Sequence, residues 1–154
     1  MMKRIADGLA SLLLVLWVGG MWAIGFIAAP SLFSSLPDNY QLAGNLAGVL
    51  FRWIAWVGII AGVYLLIFRL GREGLQALKR SFFWVVLAML LLTLGQQFGI
   101  QPVMQALKDK ALPHAVMESA FKSHFVAWHG VSSIVFLIES LLGAWLVGRQ
   151  DLAR

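Results

Sequence analysis

Four long stretches of this chain carry almost no charge, and this pattern restricts the possible fold more than any other feature of the sequence. No charged residue lies between Asp7 and Asp38, and only Arg52 is charged between Tyr40 and Phe68. About 20 apolar residues are enough to cross the hydrocarbon core of a bilayer. Only 12% of the residues are charged, about half the ~25% of a typical soluble domain. The sequence therefore predicts an all-α integral membrane protein.

The predicted architecture is a four-helix bundle that forms a single transmembrane domain over residues 1–154. Pro30 is expected to end the first membrane span, and the residues after it to form a short connection. Residues 40–50 fit either an interfacial helix or the start of the second span. A polar outer segment at about 105–122 is expected to be amphipathic, with a short helix after Pro113. The four spans are placed at about 5–29, 42–68, 81–104 and 123–147.

The basic residues predict the orientation, because cytoplasmic loops of membrane proteins carry an excess of Lys and Arg. Eight of the twelve lie at the two termini and in the second connection, and four, with Arg52 included, lie on the other side. With an even number of spans, both termini are then cytoplasmic, and we expect a multi-pass protein of a bacterial inner membrane. Because basic residues flank apolar runs, we expect the lipid bilayer as partner and no nucleic acid. The eight are Lys3, Arg4, Arg69, Arg72, Lys79, Arg80, Arg149 and Arg154.

Polar residues of the fourth span fall on one side of the predicted helix. At about 100° per residue, His129, Ser132, Ser133, Glu139 and Ser140 occupy an arc of about 120°. Hydrocarbon offers these groups no hydrogen bonds, so the arc must face other helices or a wet cavity. Glu139 fits a proton relay or a cation site, or a paired carboxyl that holds helices together. His129 fits a metal or haem ligand or a proton carrier, or a buried imidazole bonded to a neighbour.

The third span carries a matching polar stripe. Thr93, Gln97 and Gln101 recur every four residues, with Gln96 beside them. Such amides either line a polar path or form hydrogen bonds between helices. The predicted ligand or ion path consists of His129, Ser132, Ser133, Glu139, Gln97 and Gln101.

A second group of residues on the outer side has metal-binding chemistry. Imidazole and thioether together suit copper, Cu(I) above all, and His114, Met117 and His124 supply both. Their spacing matches no strict ligand motif, and Met often fills packing gaps. The chain has no cysteine, so thiolate metal sites and disulfides are excluded. Copper and haem are the two candidate cofactors.

Small residues predict close helix packing. Gly44 and Gly48, in register with Ala43 and Ala47, form a double small-xxx-small pattern that allows helix backbones to approach. We expect this face to support a homo-oligomer. Gly20, in the first span, is a further packing candidate.

Several motifs together resemble an uncharacterised membrane family, domain of unknown function 4149. They are Trp17-Val-Gly-Gly20, Ala29-Pro30, Ala43-Gly44 and His129-Gly130. The family is similar to eukaryotic transmembrane protein 205 and, more distantly, to copper-resistance D-type membrane proteins. The resemblance implies a four-span fold over nearly the whole chain. It departs at Phe136, where the family pattern implies a polar Asn. The positions that it marks for packing or function are Gly20, Pro30, Phe33, Gly44, Phe51, His129, Gly130 and Ser132.

The expected function is the handling or transport of a metal ion or a small cationic solute along the polar intramembrane face. One alternative is a haem- or quinone-binding membrane protein that uses His124 or His129. The other is a structural partner subunit without a ligand. No Walker A loop, HExxH or GxSxG motif is present, so an enzyme of the soluble type is not expected.

Overall fold

The computed structural model describes residues 2–112 and 114–149, with side chains from residue 5 onward. Four long helices follow one another, and these residues contain no strand. The prediction of an all-α four-helix membrane bundle is therefore confirmed. Pro113, expected to precede a short helix, and Arg154, one of the eight basic residues that predict the orientation, lie outside the described residues.

The first and third helices each consist of two α-helical parts joined by a π-helical segment, whereas the second and fourth are continuous. All four are long and apolar enough to cross a membrane. The first comprises α1 (Met2–Trp22), a first π segment (Ala23–Ala28) and α2 (Ala29–Ser35). The second is α3 (Tyr40–Glu73). The third comprises α4 (Ser81–Gly95), a second π segment (Gln96–Ile100) and α5 (Gln101–Ala111), and the fourth is α6 (Lys122–Gly148).

A proline follows each π segment, and neither proline ends its helix. Pro30 lies in the first turn of α2 and Pro102 in the first turn of α5. The helix does not end at Pro30, as the sequence led us to expect for the first span, but continues through the π segment and the proline to Ser35.

Two other expectations concern the connections between the helices. Asn39 caps α3 by accepting a hydrogen bond from the Leu42 N–H at 3.0 Å, so residues 40–50 begin the second helix. The predicted outer segment at 105–122 starts as the last turns of α5. Beyond it, the described residues form only the short 3-10 turn Val116–Glu118, in place of the expected amphipathic helix.

The two ends of the bundle differ in their polar contacts. We call the end with both termini and the 74–80 connection the terminal end, and the opposite end the loop end. At the terminal end, Arg72 pairs with Asp7 and so joins α3 to α1. Arg69 bonds Glu73 at 2.6 Å and lies 4.4 Å from the ring centre of Phe82 in α4. These contacts hold the first three helices together at this end.

The apolar core lies in the terminal half of the bundle. Trp17 of α1 is 2% exposed and packs directly against Gly58 and Gly62 of α3. Val18 packs in the same way on Gly143 of α6. Lipid gives helices no hydrophobic reason to associate, so close backbone approach at small residues supplies much of the packing energy. The other fully buried side chains here include Leu14, Leu65, Val86, Met89 and Leu146.

In the loop half the four helices separate into two pairs. There α2 packs on the start of α3, and α5 packs on the start of α6. Within the described ranges, neither α2 nor α3 makes extensive contact with α5. The bundle is therefore tight at the terminal end and open between the pairs at the loop end.

Candidate functional site

The gap between the two helix pairs is a cavity of about 1420 Å³. Residues of all four long helices line it, and its closed end lies at Trp17 and Met21, on top of the apolar core. Ligand pockets typically have volumes of about 300–1,000 Å³, so this cavity is large enough for a small organic molecule together with water. The polar residues predicted from the sequence are located by their position along this cavity.

Glu139 lies at the closed end of the cavity and is 4% exposed. Its Oε1 lies 2.6 Å from the hydroxyl of Thr93, which is also 4% exposed and belongs to α4. No Lys, Arg or His side chain of the described residues forms a salt bridge with Glu139. A buried carboxyl whose neighbours in the described residues are the Thr93 hydroxyl and the Gln96 amide, with no cation, is costly in hydrocarbon, and it is therefore the leading functional candidate.

The Thr93 hydroxyl has two neighbouring acceptors but only one hydrogen. It lies 2.9 Å from the carbonyl of Met89 as well as 2.6 Å from Glu139. When Thr93 donates to Met89, its bond with Glu139 requires a proton on the carboxyl; when Thr93 donates to Glu139, the carboxyl can be ionised. Both forms of Glu139 therefore fit the same positions of the heavy atoms.

A second bond between helices lies further toward the loop end. Ser132 of α6 donates to Oε1 of Gln96 at 2.7 Å. Gln96 is the first residue of the second π segment and lies three residues after Thr93, on the same side of the helix. The neighbouring Ser133 instead bonds the carbonyl of His129 in its own helix at 2.9 Å. Two adjacent serines thus have different roles, one between helices and one within a helix.

This difference predicts unequal effects of two otherwise identical substitutions. Ser132→Ala removes an interhelical hydrogen bond and should lower the free energy of unfolding by about 0.6 kcal/mol, with an upper limit of about 1.7 kcal/mol. Ser133→Ala, the matched control, should leave it unchanged or raise it slightly, because a serine bonded to the carbonyl four residues back slightly destabilises a helix. Unfolding with sodium dodecyl sulfate in mixed micelles measures both. Equal effects of the two substitutions would contradict the assignment.

His129 lines the cavity near its loop end, with its ring stacked on Phe125 at 6.1 Å. Ten residues separate it from Glu139 along α6, which is about 15 Å along the axis. Four residues of the predicted arc, His129, Ser132, Ser133 and Glu139, therefore line one cavity, whereas the buried Ser140 does not. The imidazole and the carboxyl lie at different depths.

Aromatic rings form the wall between these two depths. Phe136 packs against Gly25 of the first π segment, where a side chain of any other residue would collide with its ring. Its ring centre lies 5.5 Å from that of Phe26 and 5.8 Å from that of Phe51, in edge-to-face contacts. Phe136 is the position at which the family resemblance implied an Asn.

Of the predicted path residues on the third helix, Gln97 and Gln101 both line the cavity. The residues that form the interhelical bonds, Thr93 and Gln96, were part of the stripe but outside the predicted site. Thr93 could have been chosen, because it is the polar residue of α4 closest in depth to Glu139. Gln96 could have been chosen as well, because it lies three residues after Thr93 and therefore on the same side of a regular helix.

The proposed copper ligands lie at the loop end. His114 and Met117 line the cavity opening, whereas the exposed His124 does not. No group of three or more His, Asp or Glu side chains within residues 2–112 and 114–149 is arranged to hold a metal ion. Copper and haem binding therefore stay predictions.

The four packing glycines have different surroundings. A Cβ on Gly20 would lie 2.5 Å from Ile54, and one on Gly44 would lie 3.8 Å from Phe33. Gly48 and Gly130 face open space in this chain. Gly44 and Gly48 both line the cavity, and the predicted homo-oligomer through their face stays a prediction.

Comparison with known proteins yields one match. The model of a family described as a domain of unknown function (DUF4149) matches residues 12–113. This range covers the first three helices and most of the cavity wall. No curated protein and no solved structure matches the chain.

Proposed function

The chain belongs to the DUF4149 family of membrane proteins, and since that description assigns no activity, we propose from the site that the protein binds a small organic cation inside its membrane cavity. The observation that carries this proposal is Glu139, a carboxyl without a salt-bridge partner in the described structure, at the closed end of a large open cavity. An acidic group in such a place attracts a cationic ligand.

The depth of Glu139 supports an intramembrane site. Arg149 marks the terminal end of α6 and lies ten residues after Glu139, which corresponds to about 15 Å along the helix, half of a hydrocarbon core of about 30 Å. The carboxyl is therefore near the middle of the bilayer. A charge at this depth is stabilised most effectively by an opposite charge that arrives with the ligand.

The aromatic wall supports an organic cation in particular. Phe26, Phe51 and Phe136 surround the passage between the loop end and Glu139. The faces of such rings attract alkylammonium groups, by about 2 kcal/mol where water is excluded. The cavity thus offers apolar contact along its length and one negative charge at its end.

A bare metal ion suits the site less well. His129 and Glu139 are about 15 Å apart along α6, too far to share one ion. The polar groups nearest Glu139 are the hydroxyl of Thr93 and the amide of Gln96. They are suited to hydrogen bonds with an ammonium or amine, and a single carboxylate supplies little charge for a transition metal.

The proposal includes an orientation and a location. The loop end carries fewer basic residues than the terminal end, which favours a cavity open to the outside of a bacterial inner membrane. The packed terminal half, with Trp17 beneath the cavity, separates the site from the cytoplasm. The protein would therefore take its ligand from the outer side.

A pair of isosteric probes tests the proposal. Benzyltrimethylammonium and neopentylbenzene have the same shape, but only the first is charged. We expect saturable binding of radiolabelled benzyltrimethylammonium to the protein in nanodiscs, with neopentylbenzene competing about thirtyfold more weakly. Equal competition by the two compounds, or no saturable binding at all, would exclude an organic-cation site.

A neutral ligand such as a quinone head group is the second candidate. The hydroxyl and amide of Ser132 and Gln96 face a mostly apolar cavity, and such a pairing can orient a carbonyl ligand. In this case neopentylbenzene would compete as well as the cation, and ubiquinone would displace both.

A further inference from the structure

A second, smaller cavity of about 180 Å³ lies between α3 and α5, in the gap that separates the two helix pairs. We call it the α3–α5 window. Its polar lining consists of Asn45 and Arg52 from α3 and Gln101, Gln105 and Lys108 from α5. The window opens beside the main cavity, with which it shares several of these residues.

The charges of the window are all positive. Arg52 and Lys108 line it, and no Asp or Glu of the described chain does so. Neither cation forms a salt bridge within these residues. The nearby Asp109 lines the main cavity and accepts a hydrogen bond from Gln105 at 2.9 Å. The window therefore has the charge opposite to that of the Glu139 site.

Three side chains supply hydrogen-bond donors to the window: Arg52, Lys108 and Asn45. Lys108 reaches across the gap and donates to Oδ1 of Asn45 at 3.1 Å. This bond occupies the amide oxygen and leaves the Asn45 NH₂ group available as a donor. Arg52 contributes the planar guanidinium that binds phosphate oxygens in pairs. Two cations and an oriented amide together match the oxygens of a phosphate group.

The depth of the window corresponds to the level of lipid headgroups. Seventeen residues of α3 separate Arg52 from Arg69 at the terminal end, or about 26 Å of helix, close to the hydrocarbon thickness of about 30 Å. Trp53, beside Arg52, is 69% exposed, as expected for a tryptophan at the membrane interface. Asn45 and Lys108 lie further outward, on the polar side of this boundary.

We propose that the α3–α5 window binds the phosphate group of a phospholipid headgroup through Arg52, Lys108 and Asn45. The acyl chains of that lipid lie against the exposed apolar surface of α3 toward the terminal end, which includes Trp56 and Ile60. This proposal is independent of the cation site, because it uses other side chains and a ligand of opposite charge.

Native mass spectrometry of the detergent-solubilised protein tests the window. Phosphatidylglycerol is compared with diacylglycerol of the same chains, in the unmodified protein and in R52Q/K108Q. We expect the double variant to bind phosphatidylglycerol about thirtyfold more weakly, from two lost cations at the membrane surface, and diacylglycerol to bind both forms weakly and equally. The control is K110Q/K122Q, which removes two exposed loop-end charges outside the window and should retain the lipid.

Each other result overturns the proposal. Equal retention of phosphatidylglycerol by R52Q/K108Q and the unmodified protein excludes the window as a phosphate site. An equal loss in K110Q/K122Q assigns the effect to net charge. If inorganic phosphate displaces the lipid and also saturates the window in lipid-free micelles, the window binds free phosphate in place of a lipid. Gel filtration in detergent verifies that both double variants are folded.

Discussion

Glu139→Gln should weaken the binding of benzyltrimethylammonium by about a hundredfold, because removal of one partner from a buried charge pair costs about 2–5 kcal/mol. The substitution changes the charge and almost nothing else. The Gln carbonyl oxygen can still accept the hydrogen bond from Thr93 that Glu139 receives at 2.6 Å. Neopentylbenzene, which has no charge to lose, should bind the variant and the unmodified protein equally. Equilibrium binding in nanodiscs measures both ligands.

Glu118→Gln is the matched control for this experiment. Glu118 also lines the cavity, but it is exposed at the loop end. Water and salt screen a charge in that position, so the affinity should change by about twofold or less. If the two variants lose affinity equally, the cation responds to the overall charge of the cavity and Glu139 has no special role.

Trp17→Ala should lower the free energy of unfolding by about 3 kcal/mol, the lower end of the range for removal of a buried tryptophan. Trp17 is the largest fully buried side chain and fills the space against Gly58 and Gly62. The lower end applies because the indole ring is in an apolar environment in both the lipid and the protein interior. The stability lost on its removal therefore comes mainly from lost packing contacts. Unfolding with sodium dodecyl sulfate in mixed micelles provides the measurement.

Trp53→Ala serves as the control for Trp17→Ala. Trp53 is 69% exposed at the outer surface of α3, so its removal opens no internal space and should change the stability by no more than about 0.5 kcal/mol. A Trp17→Ala protein as stable as Trp53→Ala would mean that the terminal half of the bundle is loosely packed.

The four-helix fold could be predicted from the sequence because it depends on where charges are absent. The uncharged run between Asp7 and Asp38 corresponds to the first long helix. The run from Tyr40 to Phe68, in which only Arg52 is charged, corresponds to the second. The polar arc of α6 was equally accessible, since hydrocarbon cannot accept polar side chains and a regular helix keeps its angular spacing. Glu139 was identified on these grounds alone.

The π segments could not be predicted, and they determine the details of the site. Each inserts an additional residue into a helical turn and shifts every later side chain around the axis. The second π segment begins at Gln96, so its shift acts on the residues after it, which include Gln101 of the cavity wall, and both helices continue through Pro30 and Pro102. The separation of the helix pairs is likewise a property of tertiary packing, so neither the cavity nor the α3–α5 window is visible in the pattern of residues.

The shared hydrogen of Thr93 has a consequence for how a cation could reach the middle of a bilayer. Rotation of one hydroxyl between Met89 and Glu139 accommodates the carboxyl with or without its proton, and no heavy atom has to move. In the proposed function an arriving ammonium then replaces the proton one for one, and the proton leaves to solvent through the open loop end of the cavity. The exchange is electroneutral, so the hydrocarbon never has to accommodate a net change of charge, which is the costly part of placing an ion there.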